Sequence, residues 1–394
     1  MDLFDKCRSF TRAQEAREGG WYPYFKAIES GADSEVMIDG RKLIMVGSNN
    51  YLGLTQDPRV KQAAQKAIEE FGSGCTGSRF LNGTLKLHEE LEYRLAKFMK
   101  REAALCFSTG FQTNLGTIAT LVGKDDVIFS DRANHASIVD GCRLSYGHTV
   151  KFKHNDLNDL ERLLKKHSNA GGKLIVADGV FSMEGDIIDL PNLVKLAEKY
   201  EARIMLDDAH SIGVLGKHGR GTGEHFGLAD KVDIVMGTFS KSFASLGGFI
   251  AGDAYVIDYV KHHARSLIFS ASMPPAATAT VLAALDIIEQ EPERIQKLWR
   301  NVHKMKTGFD ALGFDTGKSV TPIIPILVGE DMQTFAFWKL LYDNGIFTNP
   351  VITPAVPPGE GRIRTSYMAT HTDEELDRVL ETFGHIGREF GLIP

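Results

Sequence analysis

Through the middle of the chain, short apolar runs alternate with helix-length amphipathic segments. The runs are Ala103–Phe107, Val127–Ser130, Val150–Phe152, Leu174–Ala177, Arg203–Leu206 and Val232–Met236. They are nearly continuous in apolar residues, the pattern of parallel strands covered on both faces by helices. Phe249–Ala251 predicts a further strand after a Gly247-Gly248 break. Upstream, Pro58–Phe71 and Thr84–Lys100 read as helices; in the second, Leu87, Leu91 and Leu95 recur every four residues. Glu35–Ile38 and Lys42–Val46 flank Asp39-Gly40, a two-residue hairpin signal. The segment Met1–Gly20 mixes charges with a few apolar residues and predicts a short amphipathic helix.

After Pro274-Pro275 the pattern changes. Two long helices are predicted, Ala276–Gln290 and Glu293–Leu312. A strand at Ile323–Val328, a helix at Asp331–Asn344, a strand at Arg362–Tyr367 and a helix from Asp373 follow. That tail of about a hundred residues is large enough for a domain. The chain thus divides into an N-terminal helix and hairpin segment (1–50), a large domain (51–290) and a small C-terminal domain (291–394). The expected fold class is α/β: a mostly parallel central sheet with helices on both faces, plus a smaller α+β domain.

Composition narrows the function. The chain has 394 residues, 43% hydrophobic and 24% charged, which excludes a disordered or low-complexity protein. Its net charge is −6 and no basic block is long enough to neutralise a phosphate backbone, so no nucleic-acid partner is expected. Four cysteines, Cys7, Cys75, Cys106 and Cys142, lie far apart without CxxC spacing; this suits a reducing compartment and gives no zinc framework. The most apolar window, Met273–Ile288, is interrupted by Pro274, Pro275 and threonines, so no membrane span is predicted. A cytoplasmic location is the expectation.

In open α/β sheets ligands gather beyond the carboxyl ends of the strands. Three successive strand ends here carry polar groups: Asp178-Gly179-Val180-Phe181-Ser182-Met183-Glu184-Gly185, then Asp207-Asp208-Ala209-His210, then Gly237-Thr238-Phe239-Ser240-Lys241-Ser242. Taken singly, the aspartates could be helix caps and Lys241 a surface lysine. Together, a lysine, a carboxylate and hydroxylated phosphate donors at one sheet edge suit pyridoxal phosphate (PLP). Its aldehyde needs a lysine for the Schiff base, and its pyridine nitrogen needs an acidic partner to remain protonated as an electron sink. His210 could reach the ring hydroxyl, and His135 in Asn134-His135-Ala136-Ser137 could stack on the ring. Gly72-Ser73-Gly74-Cys75-Thr76-Gly77 matches GxGxxG but follows a helix and precedes a loop. It is therefore not a dinucleotide fingerprint, and it predicts a loop passing close to a ligand or a partner subunit.

These residues resemble the α-oxoamine synthases, fold-type I PLP enzymes that condense an amino acid with an acyl thioester and release CO2. The resemblance runs from Ser48-Asn49-Asn50-Tyr51-Leu52-Gly53-Leu54 to Met368-Ala369-Thr370-His371-Thr372. Within the family, three segments look most like the bacterial branch that joins L-serine to a long-chain acyl-CoA. They are Gly77–Thr84, Phe181–Asp186, and Gly237–Ser242 running into Ala244-Ser245-Leu246-Gly247-Gly248. The sister branches use glycine or alanine, and Arg362-Ile363-Arg364-Thr365 also resembles the glycine-using one. A catalytically silent partner subunit is the reading from another class, and the intact lysine, aspartate and histidine set counts against it.

The resemblance implies that Lys241 holds the cofactor and moves the substrate Cα proton, with Asp207 on the pyridine nitrogen and His210 on the ring hydroxyl. His135 would stack on the ring and touch the substrate carboxylate. Gly110, Phe111, Ser182, Thr238 and Ser240 would hold the phosphate, joined by Ser270 from the second subunit of a homodimer. Asn50 would lie near the substrate, and Arg364 would engage its carboxylate. Some family members carry a second, mobile arginine upstream; here Pro350-Val351-Ile352-Thr353-Pro354-Ala355-Val356-Pro357-Pro358 has none. A lipid product also raises the expectation of a peripheral membrane contact.

Overall fold

The computed structural model describes residues 2–394; Met1, the first residue of the expected N-terminal helix, lies outside the described residues. In place of one helix the segment forms two short ones, Asp5–Arg8 and Arg12–Glu18. Ser9, Phe10 and Thr11 separate them, a run of residues that lose side-chain freedom in a helix or compete with its backbone.

Strand β1 (Glu35–Ile38) turns directly into β2 (Arg41–Met45), with Ile38 opposite Arg41. Asp39 and Gly40 both take positive φ, 51° and 67°, as a two-residue turn with the twist of its strands requires. The central sheet follows in chain order: β3 (Ala103–Phe107), β4 (Val127–Asp131), β5 (His148–Phe152), β6 (Lys173–Asp178), β7 (Arg203–Asp207), β8 (Ile234–Thr238) and β9 (Gly248–Gly252). Their spatial order is β3-β9-β8-β7-β6-β4-β5. Neighbours pair in parallel except β9, which is antiparallel to both β8 and β3. Every residue of β4, β8 and β9 is buried, which is why these strands read as nearly continuous apolar runs that turn polar only at their ends.

Helix ends follow local chemistry. Pro58–Phe71 starts where Asp57 accepts a hydrogen bond from the Arg59 N–H and proline occupies the first turn; it stops at Gly72, φ 80°. Glu293–Leu312 ends at Gly313 in the left-handed region. The C-terminal part contains β10 (Ile323–Gly329), β11 (Ile346–Phe347), β12 (Asn349–Val351) and β13 (Gly361–Ser366). β13 lies between β10 and β12, antiparallel to both. β11 pairs in parallel with β2, so the N-terminal hairpin shares a sheet with the C-terminal part.

The topology fixes where the chemistry falls. Asp178 ends β6, Asp207 ends β7, and the two are register partners. Thr238 ends β8, and the loop Phe239–Gly247 carries Lys241 before the chain reverses into β9. Three polar strand ends therefore lie side by side on one edge.

Candidate active site

A cavity of about 230 Å³ opens at that edge. Of the residues expected from sequence, Gly110, Phe111, His135, Ser182, Asp207, His210, Thr238, Ser240 and Lys241 line it; Asn50, Ser270 and Arg364 do not.

Lys241 stands in a tightly closed loop. The Phe239 N–H donates to the Gly247 carbonyl (2.9 Å) and the Ser245 N–H to the Phe239 carbonyl (2.8 Å). Ala244 turns the chain at φ 53°, a conformation an alanine adopts only under strain. Burial lowers the proton affinity of the Lys241 amine to about 8, against the pull of Asp207 and Asp178. A lysine so placed is about one-tenth neutral at pH 7, far more than an ordinary lysine.

Asp207 is buried with both oxygens accepting. Asn114 Nδ2 donates to Oδ2 at 2.6 Å and the Ala209 N–H to Oδ1 at 3.0 Å. His210 Nδ1 lies 2.6 Å from the Tyr51 hydroxyl. Burial, and then the charges of Lys241, Arg364 and His135, hold the His210 imidazole well below its usual range, so it is neutral. Burial pushes the Tyr51 phenol up to about 12, so it keeps its proton and donates it to Nδ1. That leaves the ring proton of His210 on Nε2. Tyr51 and Asn114 hold two of the expected site residues, and the sequence reading did not name them.

His135 is the N-cap of the helix Ala136–Leu144; its Nδ1 accepts from the Ser137 N–H and lies 2.7 Å from the Ser137 hydroxyl. Its ring meets that of Phe111 edge to face at 6.4 Å. The helix-start reading and the cavity-wall reading of this histidine hold together.

The helix Gly110–Leu121 aims its first N–H groups at the cavity, with Thr109 as N-cap. A Cβ on Gly110 would sit 2.6 Å from Thr238 Oγ1, so only glycine lets this helix start approach the end of β8. Thr238 Oγ1 in turn lies 3.0 Å from Ser240 Oγ. Free N–H groups at a helix start beside two hydroxyls form an anion cradle.

The three remaining residues are placed elsewhere. Asn50 closes its own turn, its Oδ1 accepting from the Leu54 N–H (3.1 Å) and its Nδ2 donating to Thr55 Oγ1 (2.8 Å). Ser270 accepts from Gln112 Nε2 at 3.0 Å, outside the cavity. Arg364 is buried behind the wall, where its Nε donates to the Ser182 carbonyl (2.6 Å) and its Nη2 to Asn49 Oδ1 (2.9 Å).

His154 holds the loop that carries Ser182. It lies 3.2 Å from Asp131 and 3.2 Å from Asp186, with its ring edge-on to Phe181. Burial disfavours its charge, but the hydrogen bonds and charges of the two carboxylates outweigh burial and push the imidazole up to about 10. The folded value is above the unfolded one, so the stabilisation is complete below about pH 6.5 and is lost as pH rises through about 10. His154→Ala is expected to cost on the order of 3 kcal/mol at pH 7, because it strands buried carboxylates. In thermal unfolding, the Tm gap to wild type should shrink between pH 7 and pH 10.5. A gap that stays constant would refute the clamp.

The family profile "Aminotransferase class I and II" matches residues 41–383, and the chain belongs to that family. More particularly, it is 53% identical to the serine palmitoyltransferase of Sphingobacterium spiritivorum over 379 residues, covering 96% of this chain and 95% of that one. A serine palmitoyltransferase solved at high resolution with PLP superposes with a TM-score of 0.96 at 37% identity, covering all of both chains. The 8-amino-7-oxononanoate synthase of Treponema denticola is 45% identical, covering 97% of each. The cavity fits PLP: it offers an amine, a carboxylate with spare lone pairs, a neutral imidazole N–H and an anion cradle on its walls. Asn114 Oδ1, in the same wall, is buried without a partner. Among the described residues no His, Cys, Asp and Glu cluster could hold a metal, and no helix is long and apolar enough to cross a membrane.

Proposed function

We propose that the protein is a serine palmitoyltransferase. It condenses L-serine with a long-chain acyl-CoA such as palmitoyl-CoA, losing CO2, to give a 3-keto sphingoid base, the first step of sphingolipid biosynthesis. The observation that carries the reading is 53% identity to such an enzyme along nearly the whole of both chains, with the cavity's lysine, aspartate and histidine set intact.

Bound in this cavity, PLP supplies an electron sink for negative charge at the amino acid's Cα. Lys241 anchors the cofactor and, once freed, takes the Cα proton and later returns one. Asp207 accepts a hydrogen bond at the pyridine nitrogen, His210 Nε2–H donates at the ring hydroxyl, and His135 covers one ring face. Gly110 and Phe111 N–H, with Ser182, Thr238 and Ser240, hold the phosphate. Arg364 and Asn50 serve the substrate end, where Arg364 already places a positive charge near Lys241 and His210.

The same reading makes the protein a cytoplasmic homodimer in which Ser270 reaches the neighbouring cavity. Support comes from exposed Phe80, Leu81, Phe111, Leu246 and Phe269 and from four unpaired cysteines. Exposed Leu3, Phe4 and Phe10 support a peripheral membrane contact made by apolar side chains, since Arg8 beside them is paired with Asp2 and Asp5.

The test is the visible spectrum of the holoenzyme titrated with L-serine, glycine, L-alanine and L-threonine. The expected result is a yellow protein whose band shifts and saturates with L-serine only. A stronger response to glycine or alanine would move the substrate assignment to a sister branch. A protein that takes up no PLP would overturn the catalytic reading.

A further inference from the structure

Asp178 is a second carboxyl of the cavity wall, and the chemistry described so far gives it no task. It is 4% exposed, at the end of β6 and in register with Asp207 on β7. Two bonds tie it to the segment before the helix Ala136–Leu144, and they run in opposite directions. The Asp178 N–H donates to Asn134 Oδ1 at 3.0 Å, and the His135 N–H donates to Asp178 Oδ2 at 3.2 Å. Asn134 is itself held by its Nδ2, which donates to the Val176 carbonyl (2.8 Å) and to Ser130 Oγ (3.0 Å). The other oxygen of Asp178, Oδ1, is buried with no partner.

We propose that Asp178 is a positioning residue of the site: it anchors the backbone of His135 and thereby sets how the imidazole lies across the cavity. A reciprocal pair of bonds between a strand end and residues 134–135 stops His135 from sliding along the sheet edge. The inference rests on the reading that PLP occupies the cavity and His135 covers its ring. The surroundings of Asp178 favour its protonated form. Burial, and after it the neighbouring carboxylate of Asp207, raise its carboxyl well above the ordinary range. A protonated carboxyl offers one acceptor, used by the His135 N–H, and one O–H donor. A carboxamide offers an acceptor and a donor in the same places, whereas a methyl offers neither.

That contrast supplies the test, made on the holoenzymes of wild type, D178N, D178A, N134A, H135A and D178A/H135A. Three quantities are read: the visible circular dichroism of bound PLP, the PLP dissociation constant, and the far-ultraviolet spectrum as a check of fold. D178N should match wild type within about twofold. D178A should lose at least half of the visible dichroism and bind PLP about tenfold more weakly, the scale of one buried hydrogen bond. The double variant should bind PLP no more weakly than H135A, because both changes remove the same contact. N134A breaks the other half of the clasp and should reproduce the loss of dichroism even where D178A fails to fold.

Three outcomes would overturn the proposal. They are visible dichroism in D178A or N134A equal to wild type, a D178N enzyme as impaired as D178A, and effects of D178A and H135A that multiply. A wild-type protein that binds no PLP would instead remove the proposed function on which this inference rests.

Discussion

Replacing Lys241 with alanine is expected to lower turnover of L-serine and acyl-CoA by roughly three orders of magnitude or more, with PLP still bound. Lys241 is the sole amine among the residues lining the cavity, so no neighbour can take its place as anchor or as proton carrier. Its environment is built for both tasks. Burial brings the amine to about 8, so it can be neutral when it attacks an aldehyde and protonated after it has taken a Cα proton. The loop that presents it is closed by backbone bonds between Phe239 and Gly247 and between Ser245 and Phe239, none of which uses the lysine side chain. The fold should therefore survive K241A. The anion cradle at Gly110, Thr238 and Ser240, with Asp207 and His210, remains to hold PLP without a covalent link. Turnover assays, with absorbance of the protein peak after gel filtration, check both halves. A K241A enzyme within tenfold of wild type would remove Lys241 from its role.

How much of this was legible in the sequence depends on whether a feature has a local cause. Helices Pro58–Phe71 and Glu293–Leu312 have the predicted bounds because Asp57, Pro58, Gly72 and Gly313 mark their ends chemically. The run Val232–Met236 is instead a strand at Ile234–Thr238, since hydrophobicity marks burial and not where pairing begins. β11 and β12 escaped altogether. One has two residues, the other contains Pro350, and both exist only because β2 and β13 are there to pair with them.

The site divides in the same way. Lys241, Asp207 and His210 sit at strand ends, where the architecture of a parallel sheet collects ligands, so their order along the chain announced them. Asn114 and Tyr51 were silent because their partners are far away in sequence: Asn114 meets Asp207, and Tyr51 meets His210. The family resemblance pointed to Asn50, next to Tyr51. In the structure Asn50 bonds back to Leu54 and Thr55, while Tyr51 reaches His210 from behind the cavity wall.

Asp207→Asn should separate binding from turnover. PLP affinity is expected to change by no more than a few fold, while kcat falls by roughly two to three orders of magnitude, on the scale of losing an electrostatic partner at a reacting centre. The reason lies in what surrounds the carboxylate. Both oxygens already accept from N–H groups, of Asn114 and of Ala209, and each has a second lone pair free for the pyridine nitrogen. An amide puts an NH2 group where one acceptor stood. Asn114 can absorb that change by turning its own carboxamide, because its Oδ1 is buried without a partner. The cavity therefore keeps its shape, and the phosphate cradle and Lys241 continue to retain the cofactor. What disappears is the negative charge that keeps the pyridine nitrogen protonated, and with it the electron sink on which Cα deprotonation and CO2 loss both depend. Parallel measurement of kcat and of the PLP dissociation constant decides the matter. Turnover within threefold of wild type would show that Asp207 is not the partner of the ring nitrogen. An equal loss of affinity and rate would make it a residue of cofactor binding alone.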